Sequence, residues 1–332
     1  MKFVRRLLVL IVAGVACGGS DVTTSPTTTT SAGVVADDPA QAQFISNDLT
    51  NFWNAYDAGG RNGSASAIQS GYLDKASPGL RDFIGSRGLT GQNVAAVVAA
   101  YPRYFASIKS TNLQLTSEGT VVARIRENYS RIKALYPAAA FPPVTFLIGR
   151  FSTGGTTSAG GMLIGSEFYS MSATTPTDEL GSFQKTNVKL LDSLPITVAH
   201  EHVHILQARA GGVFAHSNKT LLELVLLEGG ADFVGSLSSG GNINAWMFPY
   251  ALANEHALWT DFSAAMHGTD VSRWLYNQGT ATGARPGDLG YFVGYRIAES
   301  YYKNANDKAA ALRDIIEVRN ADDFLARSNY SP

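Results

Sequence analysis

"TVAHEHVHILQAR", residues 197–209, sets three of the chain's six histidines within five positions. The surrounding signals make it a helix: Ser193 offers a cap, Pro195 suits a first turn, and Gly211-Gly212 supplies a stop. On a helix, His200 and His204 project from one face about one turn apart. Glu201 lies about 100° further round, at the edge of that face. The pattern is His-Glu-x-x-His, in which two imidazoles suit a zinc ion and the carboxylate is placed to take a proton from water. Zinc fits because neutral imidazole ligates it well and a fourth position can stay open. His202 points the other way, with Val198 and Ile205, and should pack rather than ligate. The bland alternative is a row of polar residues on a partly buried helix, so the flanking sequence has to decide.

A third ligand is needed, and "KTLLELVLLEGGADF" (219–233) offers two glutamates on a second apolar helix spanning 219–237. Glu223 and Glu228 are five apart and face differently, so at most one can share the ion. Spacing from His204 favours Glu223; local chemistry favours Glu228. Asp232 lies one turn beyond Glu228, where it could accept the outer N–H of a ligating histidine. Gly229 and Gly230 would let another helix approach closely beside the metal. A lone ionised Glu228 in so apolar a helix would be costly, and a nearby cation removes that cost. The competing reading is an exposed acidic stripe near the helix end.

His-Glu-x-x-His followed by Glu-Gly-x-Ala-Asp resembles the gluzincin zinc metallopeptidases. More closely, it is similar to a bacterial family of predicted zinc-dependent peptidases that includes gliding-motility-associated lipoproteins. The likeness extends to "YLDKASPGLRDFIGSR" (72–87), "RPGDLGYFVGYRIAESYY" (285–302) and "FLARSNY" (324–330), covering most of residues 40–330. The resemblance implies His200, His204 and Glu228 as ligands of one zinc per chain, Glu201 as general base, and Asp232 behind a histidine. It also implies a peptide or protein substrate lying extended against an edge strand just before the metal helix, for which "GGMLIGSEFYS" (160–170) is in place. A tyrosine opposite the glutamate would stabilise the oxyanion; Tyr291 and Tyr295 are the candidates, against the commoner role of core packing.

Outward from the site, residues 39–140 read as a helical N-terminal lobe and 141–332 as the zincin-like catalytic region. "PAQAQFISNDLTNFWNAYDAGG" (39–60) places Phe44, Ile45, Leu49, Phe52, Trp53 and Tyr56 on one helical side. "VTFLIGRF" (144–151) and "MLIGSEFYS" (162–170) are strand candidates joined by the Gly-rich "STGGTTSAGG". That connection matches no phosphate-binding motif. The expected class is α+β and mostly helical, a zincin-like fold with a small sheet and a metal-binding helix pair.

Composition sets the outer limits. With 332 residues, 45% hydrophobic and 16% charged, the chain can bury a large core. A net charge of −1 with no basic face excludes nucleic acid as the expected partner. The single cysteine forms no internal disulfide. It ends "MKFVRRLLVLIVAGVAC" (1–17), where a basic start and a short apolar run read as a signal peptide over 1–16. Cys17 then stands where bacterial lipoproteins carry their lipid, with Thr/Ser-rich residues 17–38 as a flexible tether. Ordinary cleavage after Ala16, giving a periplasmic or secreted form, is the alternative. The sequence thus points to an exported, lipid-anchored zinc metallohydrolase of the cell envelope, a peptidase. The rival is a non-catalytic envelope lipoprotein that keeps the fold and binds a protein or cell-wall partner. Glu201 separates the two, because a structural zinc has no use for an unligated base.

Overall fold

Helical periodicity on both sides of a β-branched stretch predicts a sheet between two groups of helices. The computed structural model, which describes residues 35–277 and 285–332, has that plan. Six helices come first: α1 (Asn47–Asp57), α2 (Ala65–Gly71), α3 (Pro78–Arg87), α4 (Gly91–Ala100), α5 (Pro102–Asn112) and α6 (Thr120–Leu135). Their ends follow local chemistry. Ser77 caps α3 ahead of Pro78, Thr90 and Asn93 cap α4 reciprocally, and α6 stops short of Pro137. Their apolar faces bury Phe52, Trp53, Tyr72, Tyr104 and Phe105. The polar ends of these aromatics are satisfied: Trp53 Nε1 donates to Asn112 Oδ1 at 2.7 Å, and Tyr72 Oη donates to the Ile148 carbonyl at 2.9 Å.

Phe44-Ile45 does not belong to the first helix. The pair forms β1 (Phe44–Ile45), parallel to β2 (Val144–Leu147), and α1 begins only at Asn47. An aromatic and a β-branched residue suit a pleated surface better than a helical turn. The sheet order is β1-β2-β4-β3, with β3 (Gly155–Ser158) antiparallel to β4 (Gly161–Gly165). The strand nearest the histidine helix in sequence, β4, is therefore paired on both sides. The edges are β1 and β3, and β3 lies in the segment expected to be a mere connection. Thr156 and Thr157 make it a strand, and Gly161 turns the hairpin at φ +128°, where a Cβ would meet the Pro143 carbonyl at 2.2 Å.

Both long strands end earlier than alternation suggests. Glu167 is the cause. Its buried carboxylate accepts N–H groups from Gly149 at 3.0 Å and Phe151 at 2.7 Å, folding residues 148–152 into a loop. Arg150 and Phe151 there take φ of 54° and 56°, a left-handed conformation held by those bonds. Burial pushes the Glu167 carboxyl up to about 7 despite the backbone donors.

The remaining helices are α7 (Ser182–Asn187), α8 (Leu194–Ala210), α9 (Leu221–Ser239), α10 (Phe248–Ala253), α11 (Glu255–Ala265), α12 (Leu289–Asn304), α13 (Lys308–Ile316) and α14 (Ala321–Ser328). The class is the expected one, mostly helical α+β with a small sheet. Helix α9 is apolar nearly all round because it is central, with α8 and α12 packed against it. Glycines set both distances. A Cβ on Gly229 would sit 2.2 Å from the backbone of Gly294 and Tyr295 in α12, so the two helices cross in backbone contact. Gly235 does the same against α8, where a Cβ would come 3.2 Å from the His200 nitrogen. Gly229 thus serves the α12 side, and Gly235 brings α9 against the histidines.

Candidate metal centre

Helix α8 starts with Pro195 in its first turn and stops at Gly211, whose φ is +77°. Ser193 does not cap it: the residue is already helical, and its hydroxyl donates to the Leu190 carbonyl. The helix brings His200 and His204 to one face, with ring centroids 4.7 Å apart and planes nearly perpendicular. Helix α9 delivers Glu228 opposite them. His200 Nε2 lies 3.1 Å from His204 Nε2, and Glu228 Oε2 lies 3.2 Å from His204 Nε2 and 3.7 Å from His200 Nε2. All three side chains are buried.

The protons of these rings are placed by what lies behind them. His204 Nδ1 is 2.8 Å from Gln207 Oε1, whose amide nitrogen donates to the Leu227 carbonyl at 2.9 Å. That fixes the amide's orientation, so its oxygen accepts and His204 Nδ1 carries the hydrogen. His200 Nδ1 approaches Asp232 Oδ1 to 2.8 Å, a close contact outside hydrogen-bond geometry, and among the described residues no other group serves either atom. Two lone pairs at that distance would repel, so the hydrogen sits on Nδ1 here too. Asp232 is itself held by Asn244, whose Nδ2 donates to Oδ2 at 2.8 Å.

With both hydrogens on Nδ1, two Nε2 lone pairs and one carboxylate oxygen converge on a single buried point. With no proton on either Nε2, three acceptors face each other, an unfavourable arrangement that a bound cation or a proton on His204 resolves. Atoms sharing a tetrahedral zinc lie about 3.3 Å apart for bond lengths near 2.0–2.1 Å, and the three distances bracket that value. The residues fit zinc, and they are the group of metal-type ligands that lies together among the described residues. The electrostatics agree. Burial alone would lower the His204 pKa, but the Glu228 charge and hydrogen bond overcome it and raise it to about 9. Burial would likewise raise Glu228, yet His204 and His200, with a bond from Tyr276, hold it down at about 2. The site favours positive charge at its centre.

Around the three ligands stand the other candidates. Glu201 follows His200, and its buried Oε2 has no hydrogen-bond partner among the described residues. Gly155 of β3 leaves room for it, since a Cβ there would meet Glu201 Oε1 at 3.0 Å. Tyr291 faces His200 with ring centroids 6.3 Å apart. The Tyr295 ring packs edge-on against Phe233 and Phe248. His202 packs as expected, its Nε2 2.8 Å from the Ala140 carbonyl and its pKa lowered by burial to about 4. Glu223 is engaged elsewhere, closing the α9 capping box with Thr220 and pairing with His216 Nδ1 at 2.6 Å. Cys17 lies outside the described residues.

Three participants had escaped sequence reasoning. Gln207 was findable, because it sits three residues after His204 on the same helix. Asn244 and Tyr276 were not. The Tyr276 hydroxyl donates to Glu228 Oε1 at 2.7 Å across 48 residues, from a backbone at φ 59°.

Residues 161–318 match a family described as predicted Zn-dependent protease (DUF2268). No curated protein and no solved structure matches the chain. The matched segment runs from β4 through α13 and includes every residue of the cluster, so similarity and geometry both support a zinc-dependent protease.

Zinc retention against a chelator separates the acidic residues. Glu228→Gln should lose metal at chelator concentrations the wild type withstands, while Glu223→Gln should not. Asp232→Asn should bind about 10–100-fold more weakly than wild type. The reverse order for the two glutamates would move the third ligand onto Glu223.

Proposed function

We propose that the chain is a gluzincin-type peptidase in which His200, His204 and Glu228 hold one zinc and Glu201 acts as general base. The observation that carries the reading is the convergence of three ligand atoms beside an unpartnered carboxylate. Structural zinc sites close with four protein ligands, whereas catalytic ones keep three and leave a position open. Here three converge among the described residues, and Glu201 Oε2 has no structural bond to make.

When bound, zinc supplies a Lewis acid that polarises a carbonyl and eases deprotonation of water. The chain's own residues do the rest. The free edge of β3 offers backbone donors and acceptors to an extended peptide, next to Glu201 through Gly155. Glu201 takes the proton from the attacking water and delivers it to the leaving amine nitrogen. Tyr291 is the tyrosine assigned to the developing oxyanion. Burial, with the nearby Glu228 charge, keeps its phenol protonated and able to donate. Tyr276 has a different task, because its hydroxyl is committed to Glu228. Tyr295 is dropped from the assignment.

The support for export is the order of residues 1–17, basic then apolar then small, ending in Cys17. The chain is proposed to be lipid-anchored in the cell envelope through that cysteine. Among the described residues no helix is long and apolar enough to cross a membrane. Detergent-phase partitioning checks the anchor: wild type should enter the detergent phase and Cys17→Ala should not. Recovery of wild type only in the aqueous phase would favour unlipidated cleavage.

Glu201→Gln tests the mechanism. It should keep its zinc while peptide turnover falls at least about 100-fold, measured on one sample. Substantial residual turnover in a zinc-loaded variant would remove the water-activating role.

A further inference from the structure

Between α7 and α8 the chain passes through Lys189, whose backbone is fixed on both sides. Its N–H donates to the Phe168 carbonyl at 2.7 Å, and its carbonyl accepts from Met171 at 3.2 Å. The side chain lines a cleft of about 400 Å³ together with Asn187, Asn244, Trp246, Asp288 and Tyr291. Lys189 is half-buried, and no hydrogen bond or ion pair engages its ammonium among the described residues. Asp288, the acidic group of the same wall, accepts the Asn277 N–H at 2.7 Å and lies within reach of other groups. Burial pushes the Lys189 pKa down, partly offset by the charge of Asp232. A cation partly desolvated, with no direct ion pair among the described residues, is a cost that a bound anion would offset.

The cleft adjoins the metal centre. Asn244 on its wall holds Asp232, which touches His200, and Tyr291 on the same wall faces the His200 ring. Trp246, 49% exposed, adds an apolar surface. An anchored cation and an aromatic wall beside a hydrolytic centre match a peptide carrying a carboxylate.

We propose that Lys189 recognises a substrate carboxylate in this cleft and so sets the specificity of the enzyme. The substrate chemistry rests on the peptidase reading above. The carboxylate could be the peptide's own C-terminus or a glutamate or aspartate side chain, and the two are separable by experiment.

The test uses zinc-loaded full-length protein and hexapeptide pools carrying an uncharged boron-dipyrromethene dye and no other acidic group. One pool ends in a free carboxylate, one is amidated, and one is amidated with a fixed internal glutamate. Dissociation constants come from anisotropy, and cleavage is followed on the same pools. Wild type should bind the free-acid or the glutamate pool about 10–100-fold more tightly than the neutral amidated pool, as a charge-assisted bond allows. Whichever acidic pool is preferred identifies the source of the carboxylate. Lys189→Met should abolish the preference while retaining zinc and binding of the neutral pool, and Lys189→Arg should restore part of it. Absence of any preference in wild type, or its persistence in Lys189→Met, would overturn the proposal. Preference without cleavage of any pool would sustain Lys189 and refute the peptidase reading. Cleavage without preference would do the opposite.

Discussion

Everything at the centre of this molecule follows from where two protons sit. Gln207 and Asp232 draw the hydrogens of His204 and His200 onto Nδ1, so both Nε2 lone pairs must face inward. Glu228 then adds a carboxylate oxygen to the same buried point. Each group alone would be a routine buried polar residue. Together they turn three acceptors on one point, and a positive charge there, a metal ion or a proton on His204 Nε2, makes the arrangement favourable. The second carboxylate oxygen is held by Tyr276, which directs Glu228 Oε2 to the histidines.

That convergence needs helices closer than side chains normally permit. Gly235 admits the α8 backbone to α9, and the Gly229–Gly294 crossing locks α9 against α12. The same crossing seats α12 so that Tyr291 faces His200 while Tyr295, one turn on, packs into an aromatic cluster. The sheet contributes from the other side. Glu167 draws residues 148–152 into a loop, after which the chain returns as β3 beside Glu201. Packing at several distant glycines is thus converted into the geometry of one small site.

How much of this was legible beforehand depends on the range of each signal. His200, Glu201 and His204 are readable because helical spacing relates near neighbours. Glu228 over Glu223 is readable for a similar reason, since Asp232 stands one turn beyond Glu228; the capping box that occupies Glu223 emerges only in the structure. The apolar run of β4 reads as the edge strand, whereas β3, which holds that edge, is a short Gly/Thr stretch made a strand by its hairpin partner. Phe44-Ile45 was read with the following helix because two residues carry too little periodicity to tell strand from turn. Tyr276 and Asn244 reach the site only through tertiary contacts, for which one sequence offers no local pattern. Lys189 reads as an ordinary lysine until the fold half-buries it in a cleft where, among the described residues, no group pairs directly with it.

The central claim is that His200, His204 and Glu228 share one zinc. Anomalous scattering at the zinc absorption edge from crystals of the purified protein tests it most directly. The account predicts a peak about 2.0–2.2 Å from His200 Nε2, His204 Nε2 and a Glu228 carboxylate oxygen. A zinc held instead by His216 and Glu223, or zinc-replete crystals with no peak between α8 and α9, would contradict it.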